Sequence, residues 1–215
     1  MDNLSFYVGV IGNIISVLVF LSPIQTFYRI AKNKSTEEFE CLPYICTLLN
    51  SLLWTYYGIT KPGAYLVATV NGFGVVVMII YIILFLTYAP RKLKCKTAKL
   101  VVGLDIIAFA AAVSVTYFAL DGDARIYAIG FLGAGLNIVM YGSPLAAMRT
   151  VVTTQSVEYM PFFLSFFLFL NGGVWGFYAV LVRDPFLGIN ANPILIVRLL
   201  IWYLFNLGTE STDLN

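Results

Sequence analysis

Apolar residues run along this chain in long unbroken stretches, separated by short clusters of charged and turn-forming residues. Seven stretches predict helices: Phe6 to Tyr28, Leu42 to Thr60, Ala64 to Tyr88, Leu100 to Leu120, Ile126 to Met148, Met160 to Val182 and Phe186 to Leu207. Each is close to the roughly 20 residues that an α-helix needs to cross a bilayer, whereas barrel strands would alternate apolar and polar positions over about ten. Only helices and closed barrels satisfy their backbone groups in hydrocarbon. The pattern therefore predicts an all-α integral membrane protein of seven transmembrane helices. No small-residue cleavage pattern follows the first stretch, which reads as a permanent helix and not as a removable signal.

The chain also repeats itself. Ser22-Pro23, Lys34-Ser35-Thr36-Glu37 and the run Asn50 to Tyr57 recur 121 positions later as Ser143-Pro144, Gln155-Ser156-Val157-Glu158 and the run Asn171 to Tyr178. Such self-similarity fixes the architecture in which other motifs are read. It predicts three-helix repeats over residues 1–90 and 126–208, with residues 91–125 a basic loop and linker helix 4, and residues 209–215 a short cytosolic tail. A unit with an odd number of crossings reverses direction, so the extra fourth helix makes the two three-helix bundles parallel, in a 3+1+3 arrangement. Parallel repeats place a substrate on the axis along the membrane normal, near the midplane.

Composition agrees: 60% of residues are hydrophobic and 11% charged, with mean hydropathy +0.87. Arg29, Lys32, Lys34, Arg91, Lys92, Lys94, Lys96, Lys99 and Arg149 fall in loops on one side, against Lys61, Arg125 and Arg183 on the other. The positive-inside rule then puts the N-terminus in a lumen or outside and the C-terminus in the cytosol. The net charge of +2 marks this topology and gives no sign of nucleic-acid binding. Cys41, Cys46 and Cys95 lie toward the cytosolic side, which disfavours a disulfide framework. The chain has no histidine. It offers no cluster for a metal and no nucleophile paired with a base, so no enzyme and no cofactor are expected. Asp105, near the cytosolic end of the fourth stretch, reads as an interfacial residue. The apolar cores of stretches one, two, three, five and six lack ionisable groups, which points to an uncoupled facilitator, not a pump.

The duplicated residues carry the candidate chemistry. Pro23, Pro43, Pro144 and Pro161 sit in or at the cytosolic ends of apolar helices, where proline removes a backbone donor and clashes with the preceding turn. They are expected to act as hinges of an inner gate, although a single proline near a span end would merely stop a helix. Asn50 and Trp54 are one turn apart, as are Asn171 and Trp175, so each pair shares a helix face. An amide beside an indole suits a sugar: the amide meets hydroxyls and the ring covers an apolar face. Alone, such a Trp belongs to an aromatic belt and such an Asn to an interhelical hydrogen bond. Asn71, in Thr69-Val70-Asn71-Gly72, is a third amide in the middle of a stretch.

Several motifs are similar to those of the eukaryotic SWEET sugar transporters. They are Gly12-Asn13, Leu21-Ser22-Pro23, Leu42-Pro43-Tyr44, Thr69-Val70-Asn71-Gly72, Tyr88-Ala89-Pro90, Tyr141-Gly142-Ser143-Pro144 and Ser156-Val157-Glu158-Tyr159-Met160-Pro161. The resemblance spans about Phe6 to Asp184 and is greatest to the plant vacuolar hexose clade. It implies a bidirectional uniporter for glucose or fructose working by alternating access. It also implies a vacuolar membrane, with the plasma membrane as alternative, and homo-oligomers; the partners expected are thus a small-molecule sugar, the lipid bilayer and further copies of the chain. By position, the family's proline tetrad falls on Pro23, Pro43, Pro144 and Pro161, and its sugar-contacting residues on Trp54, Trp175, Asn50, Asn171 and Asn71. Val19 and Met140 match positions that tune substrate size. A lumenal gate is implied for Tyr57 with Asp184, and by repeat symmetry for Tyr178.

The chain departs from the family pattern after Asp184-Pro185-Phe186. Ile189-Asn190-Ala191-Asn192-Pro193 replaces an expected Pro-Asn pair, and Arg198 stands within the last apolar run. The repeat offset pairs Asn71 with Asn192, and Asn190 lies nearby. Two rival readings remain open: a seven-span receptor or binding protein, and a PQ-loop-like amino-acid transporter. Short loops and the duplication weigh against the first. Pro23-Ile24-Gln25 and Pro144-Leu145-Ala146, neither of which has a Pro-Gln pair, weigh against the second.

Overall fold

A computed structural model describes residues 3–140, 162–189 and 191 of the chain. All regular elements among the described residues are helical. They are α1 (Asn3–Leu21), α2 (Ile24–Asn33), α3 (Leu42–Thr60), α4 (Tyr65–Tyr88), α5 (Arg91–Leu100), a π-helical segment (Val101–Ala108), α6 (Phe109–Ala119), α7 (Gly122–Met140) and α8 (Phe162–Leu181). Residues 185–189 are helical as well. Among the described residues, three helical stretches are long and apolar enough to cross a membrane: Asn3–Asn33, Tyr65–Tyr88 and Arg91–Ala119. The chain divides into two compact units, one gathering Met1–Ile15 with Ala134–Asn215 and the other Ser16–Gly133.

Pro23 separates α1 from α2. Lacking an N–H, it leaves the Val19 carbonyl without its usual helical donor. Ser22 fills that place twice, its backbone N–H donating to the Val19 oxygen at 3.2 Å and its Oγ at 2.7 Å. Pro43 behaves differently. It stands in the first turn of α3, where a missing N–H costs nothing; Pro23 thus falls at a break between two helices and Pro43 at the start of one. Pro144 and Pro161 lie outside the described residues. The turn between α3 and α4 passes through Gly63 at φ +82°, a conformation that glycine adopts without a Cβ penalty.

Within the second unit, α3 packs along α4 and also against the π-helical segment. The core holds Phe27 and Ile30 from α2, Ile45 and Leu48 from α3, and Met78, Tyr81, Ile82 and Phe85 from α4. Phe27 stacks on Tyr81 with ring centroids 4.2 Å apart, and Tyr44 meets both rings edge-on. The Tyr81 hydroxyl donates to the Phe20 carbonyl at 3.2 Å, tying α4 to the end of α1. Outside the bundle, Arg29 donates from Nη2 to Oε2 of Glu37 at 2.6 Å, and Asn33 Nδ2 donates to Oε1 at 2.9 Å. These bonds hold the loop after α2 to that helix.

The fourth crossing departs from expectation at its start. The basic run from Arg91 to Lys99, expected to be a loop, is helical as α5 and continues into the span. Asp105 is buried within the protein, only 6% exposed, and neither carboxylate oxygen finds a hydrogen-bond donor among the described residues. It sits in the π-helical segment, which packs on α3. Such π segments are often found at functional sites. At the other end, Arg125 donates to the carbonyls of Thr116, Tyr117 and Leu120, closing the C-terminus of α6. Those carbonyls have no partner within the helix.

Candidate substrate site

Asn50 and Trp54 stand one turn apart on α3, as the repeat requires. The Trp54 indole is 2% exposed. Neither its Nε1 nor the Asn50 Oδ1 has a hydrogen-bond partner among the described residues. A buried donor and a buried acceptor left unmatched on one helix face cost free energy unless something else pairs with them. Asn71, on α4, spends its Nδ2 on the Val67 carbonyl at 2.9 Å, and this orients its amide. Val19 lies in the last turn of α1, where its carbonyl receives both Ser22 donors.

In the other unit, Asn171 and Trp175 stand one turn apart on α8, and Met140 ends α7. The two tryptophans are held alike. Tyr57 packs edge-on against Trp54 with centroids 5.3 Å apart at 76°, and Tyr178 packs against Trp175 at 5.3 Å and 78°. The duplication therefore extends from residue identity to side-chain geometry.

Tyr57 and Asp184 have clear local roles. The Tyr57 hydroxyl accepts from Lys61 Nζ at 3.1 Å, and the ammonium also lies 5.5 Å from the ring centroid. Asp184, 3% exposed, accepts at Oδ1 from the N–H groups of Phe186 and Leu187 at 3.0 and 3.2 Å. It caps the helix over residues 185–189, and Pro185 supplies the first position, where its fixed φ suits a helix start. Arg183, at φ 52°, ends the preceding helix in the left-handed region, and the Asp184 N–H reaches back to the Ala179 carbonyl at 2.9 Å. Asn190 and Asn192 lie outside the described residues.

Sequence reasoning passed over Asn137. It is 5% exposed, and its Nδ2 has no hydrogen-bond partner among the described residues. The signal was present, since Asn137 is an amide within the fifth apolar stretch, but it has no amide partner at the repeat offset. Cys41 is buried at the start of α3. Burial, with a smaller contribution from the Asp105 carboxylate, pushes its thiol up to about 12, so it stays protonated and unreactive.

The family profile described as sugar efflux transporter for intercellular exchange matches residues 6–93 and 127–210. That match extends past Asp184, further than the motifs alone carry the resemblance. The chain is 62% identical over 188 residues to the bidirectional sugar transporter SWEET17 of Arabidopsis thaliana, covering 87% of this chain and 78% of the relative. It is 58% identical over 189 residues to SWEET16 of the same plant, covering 87% and 82%. The solved structure of a eukaryotic SWEET transporter superposes with a TM-score of 0.91 at 39% identity, covering 96% of this chain and 97% of that one. By sequence and by fold, the chain belongs to the SWEET family of sugar transporters.

Proposed function

We propose that the protein is a bidirectional, uncoupled uniporter that moves monosaccharides such as glucose or fructose down their gradients by alternating access. The observation that carries this reading is the matched Asn and Trp pair on α3 and on α8, with one unpaired buried donor and one unpaired buried acceptor on α3. An indole covers the apolar face of a sugar ring and an amide satisfies its hydroxyls. Asn50, Trp54, Asn171 and Trp175 are the principal contacts, with Asn71 and, at the repeat offset, Asn192 or Asn190 beside them. Val19 and Met140 tune size. Pro23, Pro43, Pro144 and Pro161 serve the cytosolic gate, and Tyr57, Asp184 and Tyr178 the lumenal one.

Two repeats, 1–90 and 126–208, joined by residues 91–125, account for the paired matches of the family profile. The basic loops favour a lumenal N-terminus and a cytosolic C-terminus. High identity to SWEET16 and SWEET17 favours the clade that the motifs resemble, and the resemblance implies a vacuolar membrane and assembly into homo-oligomers.

Uptake of labelled glucose, fructose and sucrose into proteoliposomes, with and without a pH gradient, tests the proposal. Hexose uptake independent of the gradient is the expected result. Uptake that requires the gradient overturns the uncoupled mechanism and directs attention to Asp105, the buried acid of the fourth crossing. No uptake of any sugar overturns the transporter reading itself.

A further inference from the structure

Trp54 and Trp175 each rest on a glycine. A Cβ added at Gly133 of α7 would stand 3.1 Å from Cε2, 3.3 Å from Nε1 and 3.4 Å from Cζ2 of Trp54. One added at Gly12 of α1 would stand 3.2 Å from Cε2 and 3.4 Å from both Cζ2 and Nε1 of Trp175. The same edge of each indole makes the contact, and Gly12 and Gly133 are themselves separated by the repeat offset of 121.

Backbone conformation does not require glycine at either place. Among the described residues, positive φ at glycine occurs at Gly63 and Gly122 alone. Within a helix glycine is disfavoured relative to alanine, so its presence at both positions points to space. The tyrosines packed against the indoles are fully buried, Tyr57 at 0% and Tyr178 at 1% exposed. An indole pushed off its glycine has no room on the tyrosine side and must swing elsewhere.

We infer that Gly12 and Gly133 are specificity-determining residues, whose missing side chains set the indoles back and so fix how large a sugar fits beside them. The inference rests on the reading of Trp54 and Trp175 as sugar contacts. Each glycine acts through its tryptophan, as a positioning residue.

The test compares xylose and glucose uptake into proteoliposomes for wild type, Gly12→Ala, Gly133→Ala and the control Gly103→Ala. An added Cβ at Gly103 meets no atom within 4 Å. In both test variants the ratio of pentose to hexose uptake should rise by about tenfold, the low end for a pocket that changes by one carbon, while Gly103→Ala keeps the wild-type ratio. Monodisperse elution in detergent establishes folding, and if one variant fails to fold, its repeat equivalent decides. An unchanged ratio in the folded variants overturns the inference, and so does failure of both to fold, which would make the glycines packing sites only. A wild-type protein that carries neither sugar fails at the earlier step and counts against the proposed function instead.

Discussion

Gly58 of α3 lies directly against Ala68 of α4: a Cβ at Gly58 would stand 2.5 Å from the Ala68 nitrogen and 2.9 Å from its Cα. The neighbour is backbone, which cannot rotate away. Gly58→Ala is therefore expected to force α3 and α4 apart and to destabilise the protein by about 3 kcal/mol, the upper end for overpacking by one carbon. Thermal unfolding in detergent measures it. A variant as stable as wild type would show that this helix pair yields easily.

The tryptophans give a functional prediction. Trp54→Ala and Trp175→Ala should each abolish sugar uptake while expression in the membrane is retained. Wild-type rates in both would remove the pair from the transport path.

The break between α1 and α2 separates two roles that a proline usually combines. Ser22→Ala removes the Oγ donor to Val19 and should cost about 1 kcal/mol, the usual worth of such a bond. Pro23→Ala restores an N–H that Val19 can accept and should join α1 to α2 in one helix, raising stability while slowing transport. Unaltered transport in Pro23→Ala would show that the break is not a hinge.

Acid should loosen the loop after α2. Hydrogen bonds from Asn33 and Arg29 hold the solvent-facing Glu37 below the usual carboxylate value. A carboxylate with a lowered folded pKa contributes stability that is present above its unfolded value and is lost as pH falls through the folded one. Thermal stability should therefore decline below about pH 4, with a shallower decline in Glu37→Gln. Equal slopes in the two proteins would mean that the clamp adds nothing to folding.

The helices were legible because a bilayer imposes one rule on every span, and the expected Leu42 to Thr60 agrees with α3. The paired tryptophans were legible because duplication wrote them twice. Less could be seen of what depends on contacts between distant segments. Gly12 and Gly133 look like ordinary small residues until the indoles are placed on them. The place of Asp105 near the cytosolic end of its stretch gave no sign of its burial, which follows from the packing of the π-helical segment on α3. Pro43 and Pro23 both belong to the tetrad, yet one starts a helix and the other falls at a break between two. Proline chemistry alone does not distinguish those cases.

The Trp and Gly contacts also bear on ancestry. Trp54 lies in the first segment that the family profile matches and Gly133 in the second, while Trp175 and Gly12 reverse the assignment. In a two-fold assembly of identical single repeats these would be one contact made twice, and any mutation would strike both copies together. One chain that carries both segments is free of that constraint. Each indole seat can now be altered without touching the other, so a lopsided ligand could be fitted more closely on one side than on the other.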